Sequence, residues 1–237
     1  FDILSSNNVK FLREAAKLLK EQKGIEYEVP NKFDESFFSF FADNTAFLNQ
    51  MGGSSMRRTL QRVQPKNIYE LLISMALPRP ILTKEDRDIY YKRRAGALPL
   101  PDSAMYKDQR VVDILAPSCG FVLFDEQILE LCFKVAGMSE AQADKLRTAI
   151  KKNKLDEFHS MKDEFVSGVM NNGGNELMGN EIYQVLEKSV GRYSFPKAHA
   201  LSYAAIAMEQ AWLKQNHPDI ALNAIINTFK IAKNPPS

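Results

Sequence analysis

The sequence predicts a mainly α protein with little strand. Three observations carry that prediction. Apolar residues recur at helical spacing along most of the chain, and helix-start and helix-stop residues bracket those runs. No internal repeat or low-complexity segment interrupts them. One short apolar run, GFVLF (120–124), reads as a small buried strand.

Taken in order, Val9, Leu12, Ala16 and Leu19 form the first apolar stripe, with Asn8 as its cap and Gly24 as its stop. SFFSFFADNTAFL (36–48) carries five phenylalanines and reads as a helix or turn seating aromatics in the core. SMRRTLQRV places Met56, Leu60 and Val63 on one stripe, and NIYELLISMAL then stops before Pro78 and Pro80. Residues 83–118 are less regular, with prolines at 99, 101 and 117. A helix is predicted over 125–136, with Gly137 at its end. Ser139-x-x-Gln142 is a capping-box pattern that opens the helix EAQADKLRTAIKKN. Another helix is predicted over 156–170, followed by the turn NNGG (171–174). Asn175 starts a helix ending near Gly191, and Pro218 splits two last helices, 198–216 and 219–231. In the first of these, Leu201, Ala205, Met208 and Trp212 are expected to form the core stripe.

Composition bounds the function. The 237 residues are 45% hydrophobic and 25% charged, which suits one large soluble domain or two small ones. A formal net charge of +2 is too small for wholesale attraction to nucleic acid, so anion binding must come from local clusters. Cys119 and Cys132 are unclustered, which argues against zinc or a disulfide framework and for reduced thiols in the cytoplasm. No run reaches the ~18 apolar residues of a membrane span, and no signal peptide is present, so no membrane partner is expected. The chain opens on FDILSS, as a piece of a longer polypeptide or a processed form would.

Three cationic clusters stand out. Arg147, Lys151 and Lys154 fall at i, i+4 and i+7, while Ala143, Leu146 and Ile150 form a separate apolar face. A solvated lysine face and a row of phosphate contacts both fit this spacing. Arg57, Arg58, Arg62 and Lys66 crowd a helix opened by Gly52-Gly53-Ser54-Ser55, where exposed N–H groups suit either an anion or simple capping. GRYSFPKAHA puts Arg192, Tyr193, Lys197 and His199 at the mouth of an apolar helix. A cation at a helix N-terminus costs ~0.3–1 kcal/mol, a conflict that a bound anion would relieve. Among the acids only Asp2 sits in an extended apolar setting, and Glu126 reads as the cap of its own helix. No nucleophile elbow, Walker loop, HExxH or CxxC motif is present.

Six segments in order resemble the bacterial C-family replicative DNA polymerase, the alpha subunit of polymerase III, over about residues 1–228. They are FDILS, SMRRTLQRVQPKNIYELLISMALPRP, YYKRRAG, GFVLFDEQILELCFKVAGMS, ADKLRTAIKKNK and RYSFPKAHALSYAAIAMEQAWLKQNHP. The resemblance implies a polymerase fingers domain over 8–237, preceded by the end of a palm strand at 1–7. It implies that Asp2 is a catalytic metal ligand for Mg²⁺ in a two-metal site whose other carboxylates lie upstream. It assigns Arg147, Lys151, Lys152, Tyr193, Lys197 and His199 to the incoming dNTP. Arg57, Arg58, Arg62, Arg79, Lys92, Arg93 and Arg94 go to primer–template DNA. The remaining polymerase domains are implied partners, as is a sliding clamp reached through regions beyond Ser237. Nucleotidyl transfer would then belong to the whole polymerase, with these 237 residues inactive alone. A non-catalytic fingers-like module that binds DNA or a replisome protein is the alternative. The chain departs from the family pattern at Ile81, Thr148, Lys151, Asn153, Ser194 and Pro196. Thr148 replaces a second arginine, Asn153 a second lysine and Pro196 an asparagine, and Ile81, Lys151 and Ser194 each replace a glycine.

Overall fold

A computed structural model describes residues 7–192 and 194–230, with backbone only at residue 230. Among the described residues the fold is helical and no strand forms. The α-helices are α1 (Asn7–Lys23), α2 (Glu35–Ser39), α3 (Ser54–Val63), α4 (Ile68–Ala76), α5 (Lys84–Arg94), α6 (Gln109–Leu115) and α7 (Asp125–Glu130). They continue with α8 (Glu140–Lys151), α9 (Leu155–Ser160), α10 (Lys162–Asn171), α11 (Glu176–Glu187), α12 (Lys197–Asn216) and α13 (Pro218–Lys230). Two compact units divide the chain, one running to Met75 and resuming at Ala198, the other spanning Ala76–Lys197.

In the first unit α1 packs on α13 around Phe11, Ala15, Leu18, Leu19, Ile220 and Ala224. The centre of the α1 stripe is therefore Phe11–Ala15–Leu18, with Val9, Leu12 and Ala16 half-buried at its flank. Asn8 does not cap the helix. Its amide donates to Asn49 Oδ1 at 2.9 Å and accepts from Gln210 Nε2 at 3.0 Å, and Gln210 Oε1 takes the Asn49 N–H at 2.7 Å. This amide network satisfies the buried Asn49 and Gln210 side chains. Of the five phenylalanines in 36–48, Phe37, Phe38 and Phe41 are buried, whereas Phe47 is exposed. On α12 the buried stripe is Ala200, Ala204, Ala207, Met208 and Ala211, and Leu201 and Ala205 face out. The helix has nearly equal hydrophobicity all round, so periodicity alone misplaced its core side by one residue.

The second unit carries a core of Val111, Ile114, Leu131, Val135, Leu146, Ile150, Phe158, Phe165 and Leu186, with Phe158 stacked on Tyr183 at 4.4 Å. Here α5 was missed by the periodicity. Of KEDRDIYYKRR only Tyr90 is buried, so no apolar stripe announces the helix. Its start is nonetheless a full capping box, Thr83 Oγ1 accepting from Asp86 N–H at 3.0 Å and Asp86 Oδ2 from Thr83 N–H at 3.1 Å. The expected strand at 120–124 is reduced to one parallel bridge, Phe124 to Phe195, with Gly120 in a turn at φ +84°. The helix expected over 156–170 breaks at Met161, and the helix from Asn175 stops at Glu187. After α7 the chain runs into a π-helical turn, Leu131–Val135, that buries Leu131, Cys132 and Val135 before Gly137 reverses it at φ +62°. Burial pushes the Cys132 thiol up to about 12, so it packs as a small hydrophobe.

Candidate functional site

The site in the second unit is built on Gln127, which is not among the candidate residues named above. Its side chain is buried and uses its full amide. Oε1 accepts from Leu123 N–H at 2.8 Å and Phe124 N–H at 3.1 Å, while Nε2 donates to Ile114 C=O at 2.9 Å and Ser118 Oγ at 2.7 Å. The amide thus satisfies the N–H of the α7 cap residue and of the residue before it, and fixes the backbone that presents Asp125.

Asp125 is 6% exposed and sits at the meeting point of three segments. Lys151 Nζ donates to its Oδ2 at 2.9 Å, and Arg147 Nη1 lies 3.6 Å from the same oxygen. The Ser194 hydroxyl donates to Oδ1. Arg147 also pairs with Asp144 at 2.6 Å. The spacing i, i+4 does put Arg147 and Lys151 on one side of α8. Lys154 lies beyond the helix end and pairs with Glu157 at 2.8 Å, so the stripe is two cations long. Lys152 is the exposed C-cap of α8. Two of the departures from the family pattern, Lys151 and Ser194, therefore meet on one carboxylate.

Gly191 and Phe195 are both tied to this site. Gly191 N–H donates to Ile150 C=O at 2.9 Å, and Phe195 N–H to Leu123 C=O at 3.1 Å. Gly191 has φ +70°, and a Cβ there would lie 2.6 Å from Asn153 Oδ1, so only glycine fits. Glu126 does not cap its own helix. Both its oxygens accept from Lys197 N–H, at 2.9 and 2.8 Å, so it caps α12 instead. The anion that the α12 N-terminus calls for is thus supplied by the chain itself. His199 lies on the first turn of α12, its ring 4.4 Å from Tyr203 and edge-on. Tyr193 and Asp2 lie outside the described residues, as does most of the segment read as a palm strand; Asn7 opens α1.

The candidate DNA contacts divide between the units. Arg57, Arg58 and Arg62 are exposed on α3, opposite Met56, Leu60 and Val63. In the second unit Arg79 stacks on the Phe195 ring at 3.8 Å. Lys92 is exposed, and Arg93 and Arg94 are half-buried. Arg93 Nη1 donates to Cys119 C=O at 2.9 Å and its guanidinium lies 5.3 Å from Phe121. Arg93 and Arg192 border a cleft of about 390 Å³ floored by Ile81, Val122 and Val185. Arg192, from the GRYSFPKAHA cluster, bridges Ile81 C=O and Asp86 at 3.3 Å each, a structural tie. Asp86-Arg87-Asp88 is an acid pair of metal-ligand spacing, but it lies in the first turn of α5, where Asp86 serves the capping box and Arg192. Among the described residues no three His, Cys, Asp or Glu side chains converge to hold a metal ion. No helix there is long and apolar enough to cross a membrane.

Comparison with known proteins gives one family, described as the bacterial DNA polymerase III alpha subunit finger domain, which matches residues 8–173. The chain is 29% identical over 232 residues to "Error-prone DNA polymerase 1" of Agrobacterium fabrum, covering 96% of this chain and 21% of that protein. It is 26% identical over 230 residues to "DNA polymerase III subunit alpha" of Thermus aquaticus, covering 95% and 19%. It is 30% identical over 226 residues to "Error-prone DNA polymerase" of Mycobacterium bovis, covering 92% and 20%. The chain spans about a fifth of the length of these relatives.

Proposed function

The chain belongs to the bacterial DNA polymerase III alpha subunit finger domain family, and from that premise we propose that it seats the triphosphate of an incoming dNTP against primer–template DNA during nucleotidyl transfer. One observation carries the reading. Arg147 and Lys151 converge from one side of α8 with side chains 24% and 31% exposed, backed by a carboxylate that is 8% exposed. Cations held from beneath and open outward suit phosphate oxygens, and Lys152 extends the patch past the helix end. Their contribution is placement and charge stabilisation of the transferred phosphoryl group.

Lys197, His199 and Tyr193 are assigned to the nucleotide through the resemblance alone. Arg57, Arg58 and Arg62 are proposed contacts to the DNA backbone, supported by their exposure, and Arg79, Lys92, Arg93 and Arg94 join them through the resemblance. The described residues offer Mg²⁺ no carboxylate cluster, so in this reading the metals belong to Asp2 and to the rest of the polymerase. A sliding clamp would engage regions outside these residues. A second reading, a fingers-like module that binds DNA or a replisome protein without catalysis, draws on the pairing of both cations with Asp125 and Asp144.

Steady-state kinetics on the polymerase that carries this chain separate the two. Arg147→Ala is expected to raise the KM for dNTP roughly 10- to 100-fold, the loss of about 1.5–3 kcal/mol of charge-assisted hydrogen bonding. The Kd for primer–template should change less than about twofold, since Arg147 contributes no DNA contact in this reading. Unchanged dNTP kinetics would remove α8 from the nucleotide site and favour the second reading.

A further inference from the structure

We propose that Asp125 is a positioning residue for the nucleotide, holding Lys151 and Arg147 in the one arrangement that presents them to phosphate. The inference rests on the reading of those two cations as triphosphate contacts. Its basis is the division of labour between the two carboxylate oxygens. Oδ2 takes Lys151 at 2.9 Å and faces Arg147 at 3.6 Å, while Oδ1 takes the Ser194 hydroxyl. The backbone that carries the carboxylate is fixed as well, because the Asp125 N–H donates to Phe195 C=O at 3.3 Å and Gln127 holds the preceding residues.

A long lysine side chain is floppy in water, and fixing it on binding costs rotamer freedom. Asp125 removes that cost in advance. The ammonium that Asp125 anchors has a side chain 31% exposed, so its head can be reached from outside by a phosphate. Arg147 is held between Asp125 and Asp144 in the same way. Pre-arrangement therefore outweighs the repulsion between the carboxylate and an incoming phosphate, since Asp125 lies beneath the cations and they screen it.

The sign of that balance is what an experiment reads. In the whole polymerase, Asp125→Ala is expected to raise the KM for dNTP about tenfold while kcat stays within about threefold, with Asp125→Asn in between. Adding Asp125→Ala to the double variant Arg147→Ala, Lys151→Ala should make KM no worse, because Asp125 acts through those two cations. A merely structural role would lower the active fraction and so kcat, leaving KM in place. If Arg147→Ala and Lys151→Ala raise KM but Asp125→Ala leaves it unchanged or lowers it, the positioning role is overturned and the phosphate site stands. If none of the three moves KM, the phosphate site itself falls. Should the alanine variant not fold, the near-isosteric asparagine is read by the same criteria.

Discussion

Gln127→Leu is expected to cost about 3–5 kcal/mol, a large share of the stability of a typical domain. The leucine fills the space but makes none of the four hydrogen bonds that the amide makes to Leu123, Phe124, Ile114 and Ser118. All four partners are buried, so water cannot take over. With the burial of the groups left behind, each of the four contributes about 1–1.5 kcal/mol, roughly 4–6 kcal/mol together. The apolar side chain returns part of this through burial, roughly 1–2 kcal/mol, too little to reverse the sign. Urea unfolding measures the change. A loss under about 1 kcal/mol would mean that the amide does not hold the start of α7 and that Asp125 is positioned by something else.

Gly168→Ala sets two effects against each other. In an open helix the change favours the helix by about 1 kcal/mol. In α10 the added Cβ would lie 2.2 Å from the carbonyl oxygen of Ala136, backbone against helix, with no flexible side chain to yield. The clash wins, and a loss of roughly 3 kcal/mol or more is expected, from a shift of α10 away from the turn that ends the π-helical segment. Gly52→Ala is the matched control, since nothing lies within 4 Å of the Cβ position there. Thermal melting of the two variants should diverge by many degrees, and coincident curves would refute the close approach.

Much of the fold was legible because its signals are local. Ser139 and Gln142 make the capping box that their spacing predicts, and Asn175 caps α11 at 2.9 Å. Where the signal was weak the reading slipped: α5 has one buried side chain, and α12 buries Ala200 and Ala204 where Leu201 and Ala205 were expected. The site was half legible. Arg147 and Lys151 could be paired from their spacing, because four residues is one helical turn. Asp125 could not, since its partners lie 26 and 69 residues away and no periodicity links them. Glu126 was recognised as a cap but assigned to the wrong helix, for its target is 71 residues on. Gln127 left a trace, a lone amide in the apolar run VLFDEQILELCF at the third helical position, where a side chain reaches back to the cap backbone.

The separation of those partners bears on the order of folding. Bringing Ser194 and Phe195 onto residues 123–125 closes a loop of about 70 residues, at a chain-entropy cost near 4 kcal/mol. Contacts between neighbours such as α10 and α11 carry no such cost. The helices of this unit therefore assemble first, and the carboxylate acquires its hydroxyl partner only when the distant loop arrives. Pulse-labelling hydrogen exchange should show α10 and α11 protected before the amides of Asp125 and Phe195. A ribosome that has not yet released residue 195 would hold a unit with its helices in place and the Asp125 carboxylate still without its serine.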